Sequence, residues 1–134
     1  MVKLPSVLLV DDDPTTNFLN QALLQRLDVV ERVLVAQDGN QALALLQQHC
    51  SPPMPTCPVL ILLDVNMPGM NGIEFLAAYH ELPKEQRGAT IIVMLTSSLH
   101  PRDLERVQQF PIAGFLNKPL NTEKMQRVLE THFG

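Results

Sequence analysis

The sequence predicts a doubly wound α/β domain built on a five-stranded parallel sheet in (βα)5 order. Two patterns carry that expectation. Four short aliphatic runs lack the polar–apolar alternation of a half-wet antiparallel strand, as strands buried on both faces do. Segments of helical periodicity separate them, and that order implies right-handed crossovers with helices on both faces. The length of 134 residues and the 46% hydrophobic content suit one core.

The first strand is "VLLV", Val7 to Val10. Asp13 as a cap and Pro14 as a first-turn residue then open a helix. On it Leu19, Leu23 and Leu27 recur at a spacing of four and are expected to share the buried face. "RVLVA", Arg32 to Ala36, is the second strand, and an Asp-Gly turn leads to a helix marked by Ala42 and Leu46. "SPPMPTCP", Ser51 to Pro58, reads as a stiff connection far from the functional edge and without chemistry of its own. "VLILL", Val59 to Leu63, is the third strand, followed by helical positions Ile73, Leu76 and His80. "TIIVML", Thr90 to Leu95, is the fourth, followed by a short helix at Leu104 and Val107. The weaker "AGFL", Ala113 to Leu116, and a last helix through Met125, Val128 and Leu129 complete the order. These elements fill residues 5–132 as a single domain, with no output module expected after it.

Ten Lys and Arg against fourteen Asp and Glu give a formal charge of -4, which offers nothing to attract nucleic acid or an anionic membrane. The apolar run at the N-terminus ends in aspartates, unlike a signal peptide, and no uncharged stretch approaches a membrane span. A cytoplasmic protein is expected. Cys50 and Cys57, two cysteines without a secretion signal, are accordingly expected as thiols. His49, His80, His100 and His132 have no metal-ligand spacing.

Ligands of a doubly wound sheet bind beyond the carboxyl ends of its strands. Those ends read Asp11, Asp12 and Asp13; Asp64; Thr96, Ser97 and Ser98; Asn117 and Lys118. Each residue alone is explained as a cap or turn former, and Asp13 beside Pro14 fits that role best. Asp11 and Asp12 fit it less well, because adjacent carboxylates repel unless a cation joins them or one protonates. With Asp64 they make an oxygen-rich pocket suited to Mg²⁺. Lys118, stiffened by Pro119, supplies the opposing charge. Together with the Thr96 hydroxyl it suits the oxygens of a transferring phosphoryl group.

Four segments in order, "LLVDDDP", "LLDVNMPGMNG" (Leu62 to Gly72), "MLTS" (Met94 to Ser97) and "GFLNKPL" (Gly114 to Leu120), resemble the receiver domain of two-component response regulators. The resemblance covers essentially the entire chain and implies a flavodoxin-like fold. It makes Asp64 the acceptor of a phosphoryl group from phosphohistidine on a histidine kinase or histidine phosphotransfer protein. Asp12 becomes a direct Mg²⁺ ligand, Asp11 a ligand through water, and Asn66 a ligand through its backbone carbonyl. Thr96 and Lys118 hold the phosphoryl group. Phe115, three residues before Lys118, takes the place of the aromatic switch. A changed surface then engages a downstream protein, with a basal monomer or a phosphorylation-dependent dimer expected. Asn66 and Ser98 flank the site without charge, so neither is a general base for the self-dephosphorylation the resemblance implies. Gly72 is expected to permit a close backbone approach before the third helix.

The departures are the extended Gln47 to Pro58 connection and "LTSSLHPRD", which bear on partner surfaces and leave the site intact. Two rival readings start from the same residues. Asp11, Asp13 and Thr15 match the "DxDxT" spacing of haloacid-dehalogenase-like phosphatases, with Asp11 as nucleophile and Asp13 as general acid. The other rival is a protein-binding scaffold that is never phosphorylated.

Overall fold

The computed structural model describes residues 3–50, 57–65, 72–82, 90–96, 105, 109–110 and 112–133. Five parallel strands, β1 (Val7–Val10), β2 (Val33–Ala36), β3 (Leu60–Asp64), β4 (Ile91–Thr96) and β5 (Gly114–Asn117), form one sheet in the order β2-β1-β3-β4-β5. The described helices are α1 (Pro14–Leu27), α2 (Gly39–Cys50), α3 (Gly72–Glu81) and α4 (Thr122–His132). The expected short helix at Leu104 and Val107 lies outside the described residues, as does the connection 51–56.

The uniformly apolar strands feed two cores, because successive side chains point to opposite faces. Leu8, Val10, Ile61, Leu63 and Met94 pack with Ala42, Leu46, Ile73 and Leu76 of α2 and α3. Val7, Leu9, Leu60, Leu62, Val93 and Leu95 pack with Leu23 and Leu24 of α1 and Met125, Val128 and Leu129 of α4. A strand clothed on both sides has no polar face to display, which is why the runs show no alternation. β3 is buried along its whole length. No helix among the described residues is long and apolar enough to cross a membrane.

Three strands run one residue further than their apolar composition suggests. Asp64 pairs in register with Leu95, and Thr96 with Asn117. Polar residues thus close the ladders of β3, β4 and β5, held by strand hydrogen bonds instead of riding on loops.

α1 begins as expected. Asp13 is the cap, its carboxylate accepting the Thr15 N–H at 3.0 Å, and Pro14 occupies the first turn. The helix ends at Asp28 in the left-handed region, φ 55°, whose N–H bonds to the Gln25 carbonyl and whose carboxylate meets Lys3 Nζ at 2.8 Å. Its buried face differs from expectation. Leu23 is buried and Leu27 partly so, but Leu19 is 60% exposed beside Phe18 at 68%. Steps of four residues advance about 40° around a helix, so a row of three leucines spreads across the surface instead of holding one line. Asn17 and Asn20 occupy the buried face in its place.

The two cysteines do not remain thiols: Cys50 and Cys57 form a disulfide with Cα atoms 5.0 Å apart. The compartment argument favoured thiols, and packing decides otherwise. Cys50 ends α2 inside the core, and the chain returns through Cys57 to lead into β3, which brings the sulfurs within bonding reach. On α3, Tyr79 is buried and stacks on Phe75 with ring centroids 5.9 Å apart, while His80 stacks on Phe110 at 5.5 Å.

Candidate functional site

β1 and β3 are neighbours at the centre of the sheet, so their carboxyl ends place Asp11 and Asp64 side by side. Both are nearly buried, at 3% and 4% exposure, whereas Asp12 faces solvent. Oxygens of all three carboxylates lie within 4.8 Å of one another. Three hard anionic oxygens at that spacing, one of them open to water, fit a small divalent cation such as Mg²⁺. Asn66, the expected carbonyl ligand, and Ser97 and Ser98 lie outside the described residues.

Lys118 answers these charges from β5's end. Its Nζ donates to Asp11 Oδ2 at 2.6 Å and lies 3.3 Å from Asp64 Oδ1. Burial works to lower the lysine's pKa, but the Asp11 hydrogen bond and the charges of Asp64 and Asp11 outweigh it and hold the pKa above the ordinary lysine value. Lys118 is therefore a fixed cation between two anions. The Lys118 N–H bonds to the Thr96 carbonyl at 2.8 Å, and the Lys118–Pro119 peptide is cis. Thr96 is itself buried, at 3% exposure.

Other residues shape this edge. A Cβ on Gly72 would fall 2.5 Å from the Asp64 carbonyl oxygen, so α3 approaches the end of β3 as closely as the sequence anticipates. Phe115 pairs in register with Met94, is partly buried, and lines a 160 Å³ groove with Val93, Gly114, Leu116, Arg127 and Val128. It stands one strand away from β3, on the far side of β4.

Sequence reasoning missed Asn17. Its buried amide donates to the Asp11 carbonyl at 2.8 Å and the Ala36 carbonyl at 3.4 Å, tying the ends of β1 and β2 under the acidic turn. The sequence carried no signal for it, because the leucine row at Leu19, Leu23 and Leu27 pointed to a different face of α1 as the buried one.

Asp13 is not one of the three clustered carboxylates. One carboxylate oxygen accepts from Thr15 N–H and the other from the Thr16 hydroxyl, and these bonds, the hydroxyl's first, hold its pKa below the usual carboxylate value. A general acid needs the opposite shift. The "DxDxT" spacing is thus met by a helix cap that follows a pair of adjacent carboxylates.

An acid pocket facing a fixed lysine, across the carboxyl ends of β1, β3 and β5, defines a phosphorylation-dependent signalling domain. The chain belongs to the response regulator receiver domain family, which it matches over residues 7–130. It is 35% identical over 123 residues to the sensor histidine kinase AruS of Pseudomonas aeruginosa, an alignment that takes in 92% of this chain. It is 32% identical over 128 residues to a probable chemotaxis protein CheY of Rhizobium etli, covering 96% of this chain and 92% of that one. A solved two-component response regulator from Cytophaga hutchinsonii superposes with a TM-score of 0.84 at 30% identity, over 96% of each chain. The chain spans only 11–12% of the length of the first histidine kinases it resembles.

Proposed function

We propose that Asp64 is the phosphoacceptor of this receiver, taking its phosphoryl group from phosphohistidine on a histidine kinase or histidine phosphotransfer protein. The observation that carries this reading is Lys118 Nζ set between Asp11 and Asp64, at 2.6 and 3.3 Å, at the end of a buried strand. An Asp64 oxygen attacks phosphorus as the P–N bond of the donor breaks, and the departing imidazole keeps the bonding pair and takes up a proton. A carboxylate is a weak nucleophile, so the rate comes from alignment and charge neutralisation.

Asp12 and Asp64 would hold Mg²⁺ directly, Asp11 through water and Asn66 through its carbonyl. Bound there, the cation offsets charge on the transferring oxygens. Lys118 and the Thr96 hydroxyl engage the remaining oxygens of the new acyl phosphate. Capture of that group at the end of β4 draws on the packing around Phe115, which pairs with β4, and so alters the surface of β5 and α4 presented to a downstream protein. The unit spans residues 5–132 and acts in the cytoplasm, as a basal monomer or a phosphorylation-dependent dimer.

The test is incubation with Mg²⁺ and acetyl phosphate, followed by peptide mass spectrometry. The adduct is expected on Asp64 and is abolished in D64A, while K118A lowers the labelling rate by about 10²-fold. An adduct on Asp11 would return weight to the phosphatase reading, and no adduct from either acetyl phosphate or phosphohistidine donors would leave the scaffold.

A further inference from the structure

We propose that Lys124 is a positioning residue for phosphoryl transfer, clamping the loop that presents Lys118. The proposal rests on the reading of Asp64 as phosphoacceptor. Lys124 lies in the first turn of α4, where the cap residue Asn121 accepts its N–H at 2.8 Å. Its Nζ donates to the Asn117 carbonyl at 2.7 Å and to the Pro119 carbonyl at 3.0 Å. Those carbonyls bracket Lys118 on both sides. With the Lys118 N–H bonded to Thr96, the peptide units around Lys118 are held by β4 on one side and by a charged side chain on the other.

A lysine is locally the wrong residue here. The first turn of a helix carries the positive end of its dipole, and acidic residues such as the neighbouring Glu123 suit it better. A choice that opposes its own element asks for compensation elsewhere. The two charge-assisted bonds to carbonyls, which are strong for their kind, supply it. The ammonium is thereby spent on backbone, which leaves α4 with a strut to the Lys118 loop. Lys118 has to deliver its Nζ to a phosphoryl oxygen from a backbone fixed to within a fraction of an ångström, and a loose loop spreads that position over unproductive geometries. Lys124 touches no reacting atom, so its effect passes entirely through Lys118.

Three roles for Lys124 predict different kinetics. Full-length chain carrying K124M, which keeps the aliphatic stem, or K124R, which keeps charge and donors, is labelled with Mg²⁺ and a range of acetyl phosphate concentrations at low and moderate salt. Labelling is read by mass spectrometry at Asp64, and stability by urea unfolding. A positioning role lowers the maximal rate constant of K124M by about three- to tenfold with the half-saturating donor concentration unchanged, and K124R recovers most of it. In K124M the amide resonances of Asn117, Lys118 and Leu120 also shift and broaden in the donor-free protein. A K124M rate equal to that of the unsubstituted chain overturns the proposal. So does an effect confined to half-saturation and erased by salt, which marks simple collection of the anionic donor, or a loss of stability without a loss of rate. If K124M fails to fold, K124Q is measured in its place against the same criteria. Absent Asp64 labelling in the unsubstituted chain is a separate result: it removes the phosphoacceptor reading and this proposal together.

Discussion

At Gly72 the structure leaves no room for any side chain. An added Cβ meets the Asp64 carbonyl oxygen at 2.5 Å and the Val65 Cα at 3.0 Å, and both are backbone atoms that cannot swing aside. The Gly72 N–H also bonds to the Val65 carbonyl at 3.0 Å, tying the start of α3 to the residue after Asp64. Gly72→Ala is therefore expected to lower stability by about 1–3 kcal/mol, as overpacking does. It also displaces the Asp64 backbone, so labelling by acetyl phosphate slows. Urea unfolding and mass-spectrometric labelling read the two effects, and a variant as stable and as reactive as the parent would contradict the close approach. Individual site residues were legible in the sequence because their chemistry conflicts with a bland role: adjacent acids at a strand end, or a lysine stiffened by proline. Asn17 was not legible, since an asparagine on a helix reads as solvated until the fold turns it toward the Asp11 carbonyl.

At the scale of the element, α1 illustrates both the strength and the limit of local reading. Its start is fixed by short-range chemistry, so Asp13 and Pro14 were readable; its buried face depends on what the sheet presents, so Leu19 was misplaced. Strand ends have the same limit. Composition halts β3 at Leu63, but the ladder with β4 carries it to Asp64. Removing the cap in D13A is expected to lower the melting temperature by about 4 °C. The pH dependence follows from the cap's lowered pKa. A carboxyl whose folded pKa lies below its ordinary 3.8 stabilises the fold above that value and loses this contribution as pH falls through the lower folded pKa. D13N keeps a capping oxygen but cannot titrate, so its acid-side loss of stability is expected to be shallower than the parent's. Parallel acid unfolding profiles for the two proteins would show that Asp13 is not the titrating cap.

At the scale of the whole molecule, the disulfide and the site occupy opposite ends of β3. The bond joins the end of α2 to Cys57, three residues before the strand, and Asp64 closes the strand at its other end. Five residues at about 3.3 Å each put roughly 16 Å of buried, doubly clothed strand between them. The bond closes a short loop across a sequence separation of 7, so its loss is expected to cost on the order of 2 kcal/mol through the freedom returned to the unfolded chain. The two cores retain their aliphatic partners when the bond opens, since only Cys50 and Cys57 change. Opening the bond thus acts on stability, and the geometry of Lys118, Asp11 and Asp64 stays as it is. The double variant C50S/C57S, or the parent under reductant, is expected to unfold at lower urea while Asp64 labels within about twofold of the oxidised rate. A labelling rate that falls along with the urea midpoint would instead mean that the packing of β3 transmits strain from one end of the sheet to the other, and that the redox state of this loop governs the site.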